Sequence, residues 1–553
     1  MPNTVQIYCK NTKQFHDVPR GSSLLEIYQM LNITLPYRVV AAHVNYKVEN
    51  LNYYLYGPKD VEFIDASVSD GMCVYVRTLC MTLCCAVNEL YPGATLRIEH
   101  PISLGYYCTL KLPDGTGMKK EMVGEIKQRM KEIIEQDRTI VCHEKRTKDV
   151  MQLFRNHSDG ESNLFETFGD PYSKYYSIGD YIDYYNGVLM PSTGYLSLFD
   201  LVEYHDGILL RIPNRKQPTI LEQMPPQEKM FSTFEEFVKW NRLMHISNVS
   251  DFNIACQNQK TVDMIKLSEA LHEKKIAGIA DTIAARKPKF VLISGPSSSG
   301  KTTFSKRLNI QLRVNGLTPV VISMDNYFVN RELTPKDENG DYDFEDIHAL
   351  DLDLFGQHLK ALLNGEEVDM PTYRFEDGKR YYEGDKLKIE PDNIVIVEGI
   401  HALNPILMPD IPQEYIFRIY VSALTTVNLD NHNWIPTTDI RLLRRIVRDY
   451  RYRNYSAKET IARCPSVRRG EEKWIYPYQE NADVMFNSAL IFELAVLKRH
   501  AEPILSEVPK YCDEYTEAHR LLKFLRFFVS VPEKEIPPTS LLREFVGGSS
   551  FHY

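Results

Sequence analysis

Phe290-Val291-Leu292-Ile293-Ser294-Gly295-Pro296-Ser297-Ser298-Ser299-Gly300-Lys301-Thr302-Thr303 is the stretch from which the rest of this chain can be interpreted. A continuous apolar run meets a loop bounded by two glycines, and a helical pattern follows over 303–314. Residues 295–302 fit G-x-x-x-x-G-K-[ST] in the strand–loop–helix setting that the motif requires. Gly295 and Gly300 let the backbone curl so that successive N–H groups point at phosphate oxygens, and the helix starting near Lys301 adds its positive end. Lys301 can reach the β/γ-phosphates and the Thr302 hydroxyl can hold Mg²⁺, so the loop is expected to bind a nucleoside triphosphate.

Outward from the loop, apolar runs at 319–322, 394–397 and 416–421 alternate with helical stretches, the pattern of a parallel sheet covered on both faces. Two of these runs end in carboxylates, Asp325 in Ser323-Met324-Asp325-Asn326-Tyr327-Phe328 and Glu398 in Val397-Glu398-Gly399. Ligands of open α/β sheets bind at that edge. Asp325 could accept the proton of an attacking hydroxyl, hold metal, or cap the next loop; Glu398 could stand in a Walker B position or be a plain edge residue. No Asn-Lys dipeptide occurs, which excludes the N-K-x-D guanine reader of a GTPase. Arg441, Arg444, Arg445 and Arg448 share one face of a helix expected over 439–453. Such a face can clamp a transferring phosphoryl group, lie solvated, or bind RNA.

Together these segments, with Pro371-Thr372-Tyr373, resemble the phosphoribulokinase/uridine kinase family over about 290–487. The resemblance implies that Asp325 deprotonates the acceptor hydroxyl and that Thr302 and Glu398 stand on the magnesium side. It also implies that Arg441, Arg444, Arg445 and Arg448 belong to a lid over the phosphates. Glu345 stands at the position of the family's sugar-binding acid, usually Asp, and Tyr373 at that of the aromatic residue beside the base. Uridine kinases usually carry a His five residues after that Tyr; here the position is Gly378, which leaves the base of the acceptor open.

The front half reads differently. Residues 5–8 alternate, 22–31 carry apolar residues at helical spacing, and Cys73-Val74-Tyr75-Val76 alternates again, so a small α+β unit is expected. Residues 1–77 resemble a TGS domain, the ubiquitin-like module of threonyl-tRNA synthetases. Arg77-Thr78-Leu79-Cys80-Met81-Thr82, Gly105-Tyr106-Tyr107 and residues 177–194 resemble the second additional domain of those synthetases. Where editing relatives have metal ligands, this chain has Thr78, Thr82, Tyr185 and Leu189, so neither editing chemistry nor structural zinc is expected there. This fusion resembles a class of long bacterial nucleoside kinases, in which residues 435–439 and 466–472 are signature segments. Arg468 and Arg469 beside Gly470 suit a mobile anion-binding loop or a solvated turn.

The 553 residues, 43% hydrophobic and 25% charged with a net charge of −9, have the profile of a folded multidomain protein and a poor generic nucleic-acid binder. Ten cysteines without a C-x-x-C pair do not make a disulfide framework. The apolar stretch at 79–87 is too short to span a bilayer, and the start lacks a secretory pattern, so a cytoplasmic location is expected.

The expected organisation is multidomain, α+β followed by α/β: a ubiquitin-like TGS-like domain over 1–77 and a synthetase editing-like α+β domain over 78–250. A connecting helix over 251–287, a P-loop parallel-sheet kinase domain over 288–510, and a helix with a polar tail of little signal over 511–553 complete it. The expected ATP-binding set is Gly295, Pro296, Ser297, Ser298, Ser299, Gly300, Lys301, Thr302 and Thr303. Lys301, Asp325 and the four arginines are the expected catalytic groups, with Glu345, Tyr373, Arg468 and Arg469 toward the acceptor. Mg²⁺ with ATP as donor, a nucleoside-like acceptor, and homo-oligomers complete the expectation, without a membrane. The rival expectation is an RNA- or ribosome-associated ATP-binding regulator that uses its front half.

Overall fold

The computed structural model describes residues 3–155, 164–167, 170–338, 340–390, 392–425 and 427–552. Its core is a five-stranded sheet in the order Thr318–Ser323, Asn393–Glu398, Phe290–Ser294, Ile416–Ser422, Val484–Asn487. Every pairing in it is parallel. Successive side chains of a strand face opposite sides, and here both sides are covered. Val291, Ile293, Ile394, Ile396 and Ile419 pack with Phe304, Leu308 and Leu312 of the Lys301–Val314 helix and Ile276, Ile279 and Ile283 of the Thr261–Arg286 helix. Leu292, Ile322, Val395 and Val397 pack with Phe355, Leu359 and Leu362 of the Leu352–Leu363 helix. Burial on both faces explains why these strands read as continuous apolar runs.

In the front half, one helix, Leu24–Met30, accompanies a five-stranded mixed sheet, ordered Gln14–Pro19, Thr4–Cys9, Lys59–Asp65, Val39–Val44, Lys47–Glu49. An antiparallel four-stranded sheet follows, built from Thr95–Ile102, Gly105–Lys111, Asp200–Tyr204 and Gly207–Arg211.

Three local expectations are corrected. Residues 73–76 are not a strand: they lie within the helix Ser69–Leu90, which runs through position 77 without a break. That helix is long and apolar enough to cross a membrane, but its most apolar window is 83% buried inside the protein, so it serves as a core helix. Residues 466–472 are not a loop but part of the helix Ala457–Trp474. The C-terminal segment is not a loose polar tail. Leu541, Leu542, Phe545 and Val546 are buried, Leu541 against the parallel-sheet helices and the others in a neighbouring core.

Candidate active site

The phosphate loop hangs between the central strand and the Lys301–Val314 helix. A Cβ on Gly295 would meet the Val421 carbonyl oxygen at 1.9 Å, so no larger residue fits. Gly300 adopts φ +86°, left-handed backbone that favours glycine. The loop's carbonyls are held from outside: Ser297 O accepts from Arg441 Nη1 at 3.3 Å, Ser298 O from Arg444 Nη1 at 3.4 Å, and Ser299 O from the Ser488 hydroxyl. The Ser299 amide donates to the Pro296 carbonyl at 3.2 Å, and the loop can turn its other amides to an anion. Lys301 is 9% exposed, and its ammonium donates to the Pro296 carbonyl at 3.3 Å.

The positive charge of that ammonium acts on the carboxyl groups of Asp325, Glu345 and Glu398 alike. Glu398 and Ser323 are paired across neighbouring strands, which brings Asp325, two residues on, to the same sheet edge. Burial pushes the Glu398 carboxyl up to about 7, with Asp325 and Glu544 adding to the rise and Lys301 and the Thr302 hydroxyl opposing it. Thr302 Oγ1 donates to Glu398 Oε1 at 3.2 Å. Asp325 is exposed to solvent at the sheet edge; the surrounding protein raises its pKa while Lys301, Arg453 and Arg448 hold it down.

The arginine helix, Thr437–Tyr452, divides its expected lid residues by role. Arg444 is fully buried and forms a fork with the equally buried Glu493, and Arg441 pairs with Glu471 and with the Tyr476 hydroxyl. These two brace the loop from behind. Arg448 donates to the neighbouring Asp449 at 2.8 Å while its charge acts on Asp325, and Arg445 is the foremost positive charge acting on Glu345. Removing one partner of a buried ion pair leaves an uncompensated charge, so Arg444→Met should cost about 3–5 kcal/mol of stability. The double change Arg444→Met/Glu493→Leu should recover much of that loss in a denaturant titration. If Arg444 instead acted on the phosphates, the recovered protein would still lose turnover.

On the acceptor side, Glu345 Oε2, the Tyr373 hydroxyl and both ring nitrogens of His401 are buried without a well-formed hydrogen bond among the described residues. Unsatisfied polar atoms of this kind are costly unless a ligand completes them. Burial lowers the His401 pKa to about 4, so the ring is neutral. Tyr373 packs on Phe328 at 5.4 Å and on Phe375 at 5.0 Å, beside the segment that carries Asp325. Gly378 has φ +71°, and a Cβ there would meet the Arg331 side chain at 2.6 Å. Arg331 thus fills the space beside the position where uridine kinases usually have His.

Arg468 and Arg469 do not join this group. Arg469 donates to Asp337 at 2.8 Å, and Arg468 lies 3.7 Å from Glu472 on its own helix. Thr303 turns away from the loop and bonds Glu544 of the C-terminal segment through both its amide, at 3.3 Å, and its hydroxyl, at 2.6 Å. Glu471 lies in the signature segment 466–472 but carries no expected role of its own, and Glu493, Glu544 and His401 are not singled out by the sequence. His401 alone had a local signal, three residues beyond Glu398 at the same edge. In the front half, the Thr78 and Thr82 hydroxyls donate to carbonyls of their own helix, while Tyr185 and Leu189 are buried in the adjoining core.

Glu345 carries a pH signature. Burial raises its carboxyl to about 7, from 4.5 in an unfolded chain, with Arg445 opposing. The folded state therefore keeps a proton that the unfolded chain gives up, and stability falls as pH rises between those values. Glu345→Gln should stabilise the ligand-free protein at pH 8 by up to about 3 kcal/mol and change little at pH 4. Thermal melts at the two pH values check this.

Residues 290–492 match the model of the phosphoribulokinase/uridine kinase family. The chain is 28% identical over 201 residues to a uridine kinase of Halobacterium salinarum, covering 36% of this chain and 80% of that protein. It is 30% identical over 200 residues to a uridine kinase of Macrococcus caseolyticus, covering 36% of this chain and 87% of that one. Among solved structures, a possible uridine kinase from Bacillus stearothermophilus aligns at 20% identity and TM-score 0.27, covering 39% of this chain and 98% of that chain.

Proposed function

Because the chain belongs, through residues 290–492, to the phosphoribulokinase/uridine kinase family, we propose that it transfers the γ-phosphoryl group of ATP to a hydroxyl of a ribose-containing small molecule, a nucleoside first among them. The observation that carries this reading is a phosphate loop whose Thr302 bonds Glu398 at the edge of a parallel sheet, with Asp325 following the neighbouring strand at that edge and the Lys301 charge acting on both carboxylates. In the proposed mechanism the loop amides and Lys301 bind the β/γ-phosphates. Asp325 takes the proton from the acceptor hydroxyl, whose oxygen attacks the γ-phosphorus as the β,γ-bridging oxygen departs with ADP. Arg445 and Arg448 face the charge that spreads over the transferring group, and such positioning supplies most of the catalysis in phosphoryl transfer.

Thr302 and Glu398 offer adjacent hard oxygens of the kind that magnesium takes, and the raised Glu398 carboxyl is a group that a cation would help to ionise. Mg²⁺ bound there would neutralise phosphate charge. Glu345, Tyr373 and His401 would complete their hydrogen bonds on the acceptor's hydroxyl groups. Incubating the purified chain with ATP, Mg²⁺ and a panel of nucleosides and sugars, read by mass spectrometry, tests the reading. Confirmed ATP binding with no phosphorylated acceptor would count against it.

The TGS-like and synthetase-like readings of the front half are also proposals, supported by the mixed sheet with its single helix and by the antiparallel sheet after it. They motivate a second reading, an RNA-binding regulator. A cleft of about 1100 Å³ that reaches Ser297 of the phosphate loop is lined by Arg77, Lys174, Lys523 and Arg526, with Glu49, Asp70 and Glu517 among them. RNA held there would dissociate steeply with added salt. Binding that is absent, or indifferent to salt, removes this reading.

A further inference from the structure

Cys84 of the Ser69–Leu90 helix, Asp183 of the short strand Tyr181–Asp183 and His432 of the loop before the arginine helix converge in the interior. One sulfur, one carboxylate oxygen and one imidazole nitrogen all lie within 4.8 Å of one another. We propose that these three side chains bind a divalent transition-metal ion, Zn²⁺ by their donor set, and that the ion ties the front half to the segment entering the arginine helix.

Thiolate, carboxylate and imidazole are the donors that zinc takes, and the thiolate and carboxylate together balance its charge. A tetrahedral ion with bonds of about 2.0–2.3 Å separates its ligand atoms by about 3.5 Å, so donors within 4.8 Å of one another close by no more than about 1 Å, while His432 Nδ1 gives up its 3.0–3.1 Å contact with the Asp183 oxygens. The remaining position of such an ion falls to water.

Asp183 and Cys84 are each held by a partner outside the trio, as metal ligands usually are. Asp183 accepts from the Tyr184 amide at 2.7 Å and from the Tyr181 hydroxyl at 3.0 Å. The Tyr185 hydroxyl contacts Cys84 Sγ at 3.8 Å. His432 Nδ1 lies 3.0–3.1 Å from the Asp183 oxygens, and Asp430 accepts from the His432 backbone amide at 2.8 Å. The loop is fixed to the front half as well. Asn433 Nδ2 donates to the Tyr184 carbonyl and Asn428 Nδ2 to the Ile98 carbonyl. Cys84 and Asp183 are 3% and 1% exposed, which makes this an interior site. It differs from positions 78, 82, 185 and 189, on which the expectation of no zinc rested.

The full chain, stripped with a chelator and kept in excess Mg²⁺ to occupy oxygen-only sites, is titrated with Co²⁺. The expected result is one equivalent bound with a thiolate-to-cobalt charge-transfer band, displaced by one equivalent of Zn²⁺. Cys84→Ser should abolish the band, and His432→Gln and Asp183→Asn should weaken Zn²⁺ binding by at least about tenfold in competition with a chromophoric chelator. No thiolate band, or a band that persists in Cys84→Ser, overturns the proposal. Should Cys84→Ser fail to fold, His432→Gln carries the decision, and unchanged Zn²⁺ affinity in it overturns the site.

Discussion

Asp325→Asn is expected to lower turnover by about 10²–10⁴-fold, the usual yield of a positioned general base. ATP affinity should stay near that of the unaltered protein or rise, because the change removes a negative charge near the triphosphate without touching the loop. The physical reason lies in the position of this carboxylate. Asp325 is exposed at the sheet edge and under the influence of Lys301, Arg453 and Arg448. Asparagine keeps the shape and forfeits the ability to take a proton. Steady-state kinetics with equilibrium ATP binding separate the two effects, and equal losses in both would mean that Asp325 serves the nucleotide rather than the acceptor.

Lys301→Met should be comparably severe by another route. Removing one fixed charge that stabilises a developing anion costs about 10²–10³-fold in turnover, and here ATP affinity should fall as well. A second signature follows from its neighbours. Lys301 is the foremost positive charge holding down Glu398 and the second on Glu345, after Arg445. Without it both carboxyl groups should rise above about 7, where they stand with the lysine present. The acidic limb of any residual pH–rate profile should therefore move to higher pH. A limb that stays in place would show that neither carboxylate governs the rate.

The parallel core and its loop were legible in the sequence because burial on both faces leaves uninterrupted apolar runs, and because the glycine and lysine spacing of the loop tolerates little variation. Asp325 and Glu398 could be placed at the sheet edge for the same reason: each ends or follows such a run. The fate of the arginines was not legible. Helical spacing says which side chains share a face, not what that face meets. Arg441 and Arg444 are neutralised by Glu471 and Glu493, which lie 30 and 49 residues along the chain. The alternation at 73–76 suggested a strand, but the sequence around it continues a helix whose surroundings bury Val74, Tyr75 and Val76 alike. The C-terminal segment shows no period because its buried residues, Leu541, Leu542, Phe545 and Val546, form one short cluster. Glu544, which meets the first turn of the phosphate-loop helix, owes its position to that cluster. The Cys84, Asp183 and His432 constellation joins residues from distant parts of the chain, and no local spacing announces it.

A crystal structure of the full chain with a non-hydrolysable ATP analogue, Mg²⁺ and an acceptor found in the panel bears most directly on the proposed chemistry. The account predicts the triphosphate on the 295–302 loop with Lys301 at the β/γ-phosphates, and the acceptor hydroxyl within about 3 Å of both Asp325 and the γ-phosphoryl group. An acceptor bound away from Asp325, or a hydroxyl with no line of approach to the γ-phosphorus, would contradict it.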